Sequence, residues 1–243
     1  MDRPLRAHHR DPSHAARVTL LPAFIATLLA VVFTLVMSPA TQAASPASTV
    51  YAGPSDRKWI ALTFDDNTIP DPSLATLKML LAYRVPTTLF LVGKAVDEFP
   101  DVTTMILQGV TEGLFEVGDH SATHVDLTAI PDADLPLQVG GGTEAFRSAT
   151  GAPVTSLLRP PYGRYNPHVA QVAGDKGFSH IILWDVGVAD WTGEPAKAIE
   201  DAVVAQAHNG AIVLLHMAAP PAPLPEARRR RWPSWSQGST PTP

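Results

Sequence analysis

Short apolar runs recur along the middle of the chain, each closed by a charged, imidazole or guanidinium side chain, with amphipathic stretches between them. Trp59–Phe64 has the length and apolar density of a buried strand and runs straight into Asp65–Asp66. Asp71–Pro72 supplies a cap and a first-turn proline for a helix over Ser73–Tyr83, whose Leu74, Leu77, Met79, Leu80 and Leu81 favour one face. Pro86–Val92 reads as a second strand, Pro100–Gly109 as a helix, and Leu114–Val117 as a third strand leading to His120. A helix is expected between Asp132 and Thr150, interrupted by Pro136 and by Gly140–Gly141–Gly142. Val154–Leu158 is a fourth strand ending at Arg159, and a helix near Pro167–Lys176 precedes a fifth strand at Phe178–Trp184. Pro195–His208 reads as another helix with Asn209–Gly210 as its stop, and Ala211–Leu215 is a sixth strand ending at His216.

Strands alternating with helices across short loops imply either an α/β barrel or a doubly wound sheet. The polar residues favour the barrel. Asp65, Asp66, His120, His124, Arg159, Asp190 and His216 all follow a strand, which is where a (β/α) barrel gathers its active site. Six strands fall short of closure, so either a strand has escaped the pattern or the chain lacks the last helix and strand of such a barrel.

The two ends differ from this middle. Residues Met1–Arg17 are basic and His-rich, Val18–Met37 carries no charge, and Ser38–Ser45 is made of small residues with Ala43 as a cleavage point. This reads as an export signal over residues 1–43. Residues 18–37 are also long enough for an uncleaved membrane anchor, and in either case the domain faces away from the cytoplasm. Residues 44–57 read as a linker and 58–217 as the domain. Residues 218–243, rich in Pro and containing Arg228–Arg231, read as a disordered tail. Apolar residues make up 45% of the chain, enough for a sizeable core, and a formal charge of -5 gives no electrostatic footprint for nucleic acid. With no cysteine, neither a disulfide nor a thiolate nucleophile or ligand is available.

Within the domain, His120 and His124 stand four residues apart, a spacing at which two neutral imidazoles converge on one cation. A third ligand must come from elsewhere, and Asp65–Asp66 is the best source. Adjacent residues at a strand end point apart, so one carboxylate can hold an ion while the other reaches a water beside it. Taken one at a time, a His pair on a solvated face, an Asp pair in a turn, a proline turn with a surface Arg and a structural His at the end of a strand are ordinary features. Asp119 reads as a hydrogen-bonding partner for the loop backbone rather than a ligand.

Taken in order, these clusters resemble the polysaccharide deacetylases of the NodB-homology type, carbohydrate esterase family four. The resemblance covers about residues 58–217 and rests on Thr63–Phe64–Asp65–Asp66, His120–Ser121–Ala122–Thr123–His124, Arg159–Pro160–Pro161–Tyr162–Gly163, Asp190–Trp191 and Leu214–Leu215–His216. It implies an α/β fold, a distorted (β/α) barrel of the NodB type, against which the six visible strands leave this chain lacking its last helix and strand. It also implies one divalent metal ion, Zn2+ by preference, on Asp66, His120 and His124. Asp65 becomes the catalytic base, Arg159 its partner, and the Tyr162 backbone N–H an oxyanion donor. His216 becomes the general acid, paired with Asp190, while Trp191, Leu214 and Tyr162 line the substrate groove. The chain departs from the family pattern at Asn67–Thr68, where Gly–Pro is usual, at Gly187, where Asp is usual, and after His216. The turn at Asn67 is expected to survive, because Asn tolerates the left-handed backbone.

The function this implies is metal-dependent removal of acetyl groups from an extracellular polysaccharide: an N-acetylglucosamine polymer such as peptidoglycan or chitin, or acetylxylan. The alternative is a catalytically impaired cell-wall or glycan-binding protein on the same fold. The expected partner is the acetylated polysaccharide, with no nucleic acid, a membrane only through an uncleaved N-terminal segment, and a monomeric chain. The expected location is secreted or in the cell envelope.

Overall fold

The computed structural model describes residues 44–217. The export segment expected over 1–43 and the tail expected over 218–243 lie outside the described residues. Eight strands form one sheet: β1 (Ser48–Val50), β2 (Ile60–Asp65), β3 (Thr87–Leu91), β4 (Phe115–Asp119), β5 (Leu157–Leu158), β6 (His180–Ile182), β7 (Val186–Gly187) and β8 (Ala211–His216). Among the described residues, seven α-helices lie between them: α1 (Pro70–Ala82), α2 (Gly93–Glu98), α3 (Pro100–Thr111), α4 (Leu135–Gln138), α5 (Gly141–Thr150), α6 (Pro167–Asp175) and α7 (Ala196–Gln206). The strand order is β1-β6-β5-β4-β3-β2-β8-β7, and every pairing is parallel. This is the curled, incomplete (β/α) barrel that the polar residues at the strand ends favoured over a doubly wound sheet, with β1 and β7 as its two ends.

Burial explains the arrangement. Leu77 and Leu80 of α1, Val102 and Ile106 of α3 and Phe146 of α5 pack on Leu89, Leu91 and Val117 of the sheet. A second cluster joins Leu158 and Ile181 to Val169 and Ala173 of α6 and to Leu135 of α4. Emptying a fully buried position such as Leu77 to Ala costs about 2–5 kcal/mol. Parallel strands covered by such clusters hold their register, and the register brings the C-terminal ends of β2, β4, β5 and β8 to one side of the molecule.

Several elements differ from the expectation. The segment read as a linker contains β1, which pairs with β6 from Ser48↔His180 to Val50↔Ile182. Three residues give too short a pattern to stand out from small polar neighbours. β7 escaped for the same reason, so two of the eight strands were unexpected. Trp59 lies outside β2 and is 63% exposed, and Ile60 is exposed too, so only the second half of that strand is buried. Helix α1 begins at Pro70 with Ile69 as its cap residue, so Asp71 lies in the first turn rather than at the cap. Helix α2 was not anticipated. The interrupted helix resolves into α4 and α5, with Pro136 tolerated in the first turn of α4 and Gly140 turning left-handed at φ 92° between them. Gly142 is required for a different reason: a Cβ there would stand 1.9 Å from the Leu91 carbonyl oxygen.

Candidate active site

The site is built on strand ends. Asp65 is the last residue of β2 and pairs in register with His216, the last of β8, so both lie at the same level of the sheet. Thr63 and Leu214 are partners two residues earlier, and side chains two apart share a face. Asp65, Thr63, His216 and Leu214 therefore face the same side, and Leu214 is buried. Asp119 closes β4 and delivers His120 next to it.

Asp66, His120 and His124 each offer a ligand atom, and these atoms all lie within 4.8 Å of one another. His124 Nε2 is 3.4 Å and His120 Nε2 is 3.8 Å from Asp66 Oδ1. Both rings are oriented through their other nitrogen: His120 Nδ1 donates to the Arg159 carbonyl at 2.6 Å, and His124 Nδ1 stands 3.2 Å from the Tyr162 hydroxyl. A backbone acceptor at Nδ1 fixes the tautomer that leaves Nε2 with a lone pair. Burial, followed by the neighbouring His124, drives the His120 pKa down to about 3, so this ring is neutral at ordinary pH. The Asp66 Oδ1 atom is buried and has no hydrogen-bond partner among the described residues. An orphaned carboxylate oxygen between two imidazole Nε2 atoms is what a divalent cation would satisfy.

Asp65 faces the same point from the other side. Its Oδ2 is 3.6 Å from His120 Nε2, and its Oδ1 accepts from Arg159 Nη1 at 2.8 Å. Arg159 is fully buried. It donates as well to Thr63 Oγ1 and to the carbonyls of Ile182 and Leu183, and its guanidinium lies 4.2 Å from the Phe90 ring centroid. Burial lowers the Arg159 pKa from its ordinary value, and the Asp65 charge opposes that shift. Thr63 was named in the sequence only as the start of the Thr63–Asp66 motif and given no role, although its two-residue spacing from Asp65 placed it on the same face. It bridges Arg159 to the sheet by donating to the Val213 carbonyl at 2.6 Å.

The third group is His216, whose Nδ1 lies 2.8 Å from Asp190 Oδ1. Burial works against its charged form, but the hydrogen bond and charge of Asp190, with Asp66 and Asp65 behind it, raise its pKa to about 9. Trp191 stands edge-on to the same imidazole with ring centroids 5.1 Å apart. Tyr162 packs against His124 at 4.8 Å, and its hydroxyl donates to the His124 carbonyl at 3.2 Å. The residues singled out by sequence thus gather in two contact groups, Asp65, Asp66, His120, His124, Arg159 and Tyr162 in one and His216, Asp190 and Trp191 in the other, with Leu214 two residues before His216 on β8.

The loops that carry them are strained. Asp66, Ser121, His124 and Tyr162 have φ of 59°, 65°, 60° and 62°, a conformation costing about 1–2 kcal/mol for such residues. The left-handed residue in the first loop is Asp66 itself and not Asn67, as had been expected. Asn67 instead accepts the Val92 N–H through Oδ1 at 2.9 Å, pinning that loop to the end of β3. The His loop is held by Asp119, whose two oxygens accept from the N–H groups of Ser121, Gly140, Gly142 and Thr143 at 3.1, 3.0, 2.7 and 3.1 Å. Burial raises its pKa to about 6 against the pull of those four donors.

A family model described as polysaccharide deacetylase matches residues 52–181. A chitooligosaccharide deacetylase of Sinorhizobium fredii is 34% identical over 67% of this chain and 73% of its own length. A peptidoglycan N-acetylglucosamine deacetylase of known structure is similar at a TM-score of 0.63 and 27% identity, covering 69% of this chain and 76% of that one. A carbohydrate esterase family 4 pseudoenzyme from Bacillus anthracis is similar at a TM-score of 0.63 and 28% identity, covering 71% of this chain and 59% of its own.

Proposed function

Because the chain belongs to the polysaccharide deacetylase family, a family of hydrolases acting on carbon–nitrogen bonds other than peptide bonds, we propose that it deacetylates an extracellular N-acetylglucosamine polymer using one divalent ion. The observation that carries this reading is the unpartnered Asp66 Oδ1, set among His120 and His124 with Asp65 beside them. Two imidazoles and a carboxylate are a donor set that suits Zn2+, leaving room for water and substrate. Such an ion, when bound, supplies Lewis-acid polarisation of a carbonyl and makes a nearby water easier to deprotonate.

The chain's own residues do the rest. Asp65, oriented by the hydrogen bond from Arg159, takes a proton from the attacking water. The Tyr162 backbone N–H, on a loop stiffened by Pro160 and Pro161, takes the role of helping to carry the negative charge that develops on the acetyl oxygen. His216, charged and steadied by Asp190, gives its proton to the departing sugar amine. Leu214 supports the acetyl methyl group, and Trp191 walls the groove beside His216. We assign the reaction to the outside of the cell because of the export-type composition of residues 1–43.

Acetate release from chitooligosaccharides, peptidoglycan and acetylxylan tests this proposal. Release from the N-acetylglucosamine polymers supports it, and release from acetylxylan alone would move the substrate to O-acetyl esters. The resemblance to a pseudoenzyme keeps a second reading in view: a glycan-binding protein without turnover. Metal bound with no acetate from any substrate would favour that reading. The assembled base, acid and ligand set weighs for the enzyme.

A further inference from the structure

Both loops that carry the candidate metal ligands fasten to the same four residues, 91–94, where β3 runs into α2. From the His loop, the His120 N–H donates to the Leu91 carbonyl at 2.9 Å, while the Ser121 and Ala122 carbonyls accept from the N–H groups of Gly93 and Lys94 at 3.0 and 2.8 Å. From the Asp66 loop, Asn67 Oδ1 accepts the N–H of Val92 at 2.9 Å. β2 ends at Asp65, opposite Phe90, so the Val92 N–H lies beyond that ladder and is met by a side chain. Asn67, Leu91 and Val92 are fully buried, and water does not compete for this bond. The backbones are also in close contact: a Cβ on Gly93 would stand 2.5 Å from the Gly141 carbonyl oxygen and 3.3 Å from that of Ala122. Asp66 and His124 need such a frame. Both hold a left-handed backbone, at φ 59° and 60°, which residues other than glycine keep only where the surrounding structure imposes it. Asp66 Oδ1, without a hydrogen-bond partner among the described residues, adds no anchor of its own.

We propose that residues 91–94 act as a strap that sets the separation of Asp66 from His120 and His124, and that Asn67 is the positioning residue tying the Asp66 loop to it. The consequence for metal binding rests on the divalent-ion reading of the site; the coupling of the two loops does not. Gly, usual in the family at position 67, has no side chain to reach Val92, so this tie belongs to the present chain. Asn67 does not itself have a positive φ, and a glycine there would relieve no strain while losing the bond. A change at position 67 is therefore felt first at Val92, then along the strap, and so at the imidazole loop on its other side.

The test pairs amide hydrogen exchange of the metal-free full chain, read by NMR, with zinc affinity measured by competition against a chromogenic chelator. The parent is compared with Asn67→Leu, Asn67→Gly, Asn67→Asp and Leu77→Ala, the last a core change away from the strap. Asn67→Leu and Asn67→Gly are expected to speed exchange at Val92 and also at Gly93, Lys94 and His120, and to weaken zinc about 10–100-fold, the scale for losing a group that orients metal ligands. Asn67→Asp keeps an oxygen for the Val92 N–H, so its exchange and zinc affinity are expected to stay close to the parent's. Leu77→Ala is expected to lower stability without singling out those four amides and to leave zinc affinity unchanged. Faster exchange at Val92 alone, zinc affinity unmoved by Asn67→Leu and Asn67→Gly, or equal weakening by Leu77→Ala would overturn the strap. A parent that binds no zinc would overturn the divalent-ion reading, and exchange at the four amides would still decide whether the two loops are coupled through Asn67.

Discussion

Both oxygens of Asp190 bind His216, one on the imidazole Nδ1 at 2.8 Å and the other on the backbone N–H at 2.7 Å. The carboxylate thus fixes ring, tautomer and strand end together, and the charged ring is the form it favours. Replacing Asp190 with Asn keeps the shape and removes the charge. For the parent, turnover of an N-acetyl substrate is expected to fall as pH rises through about 9, where His216 loses its proton. In Asp190→Asn that falling limb is expected to move to lower pH, and pH profiles of kcat/KM would measure the displacement.

His216 also links pH to stability. Its folded pKa of about 9 lies above the 6.5 of a free imidazole, so the folded state holds the proton more tightly. The resulting stabilisation is complete below pH 6.5 and is lost as pH rises through 9. At about 1.4 kcal/mol per pKa unit it amounts to a few kcal/mol at most. Denaturant unfolding between pH 6 and pH 10 is expected to show this decline in the parent and a flatter curve in His216→Gln.

The need for an acid depends on the leaving group. An amine departs poorly unless it is protonated, whereas an activated phenolate departs unaided. His216→Ala is therefore expected to lose about 10²–10⁴-fold on an N-acetylglucosamine oligomer and much less on an activated acetyl ester. Equal losses on both would mean that His216 acts structurally.

Arg159 and Asp65 form a buried ion pair. Arg159→Met strands the Asp65 charge and is expected to cost about 3–5 kcal/mol. The double change Arg159→Met with Asp65→Leu is expected to regain most of that stability and none of the activity. Thermal unfolding and acetate release on the two variants separate the structural effect from the catalytic one.

What the sequence made legible followed from two kinds of signal. Buried strands such as Thr87–Leu91 and Ala211–His216 announce themselves by apolar runs, and the site residues announce themselves by standing at the ends of those runs. What stayed hidden was set by contacts distant in sequence. β1 has only three residues and exists because β6 offers it a parallel edge, and β7 has only two. Thr63 looks like one more strand residue until Arg159, 96 positions later, donates to it. The left-handed turn fell on Asp66 and not on Asn67, because Asn67 is held by the Val92 N–H. Asp119 was legible as a loop-binding carboxylate, but its partners Gly140, Gly142 and Thr143 come from a helix start that local pattern does not connect to it.

That role gives a further expectation. Asp119→Ala leaves four N–H groups, three of them buried, without their acceptor and frees the loop carrying His120 and His124. A loss of about 2–4 kcal/mol is expected from hydrogen bonds to a charged acceptor. Zinc affinity by competition with a chromogenic chelator is expected to fall by at least tenfold, in line with the effect of disturbing the groups that orient metal ligands.

The most direct test of the whole reading is acetate released from chitopentaose by the full chain, after removal of divalent ions with a chelator and again after adding back Zn2+. Release is expected to fall to background on chelation and to return with the ion in the parent but not in Asp66→Ala. Release that is indifferent to the chelator, or that survives in Asp66→Ala, would contradict it.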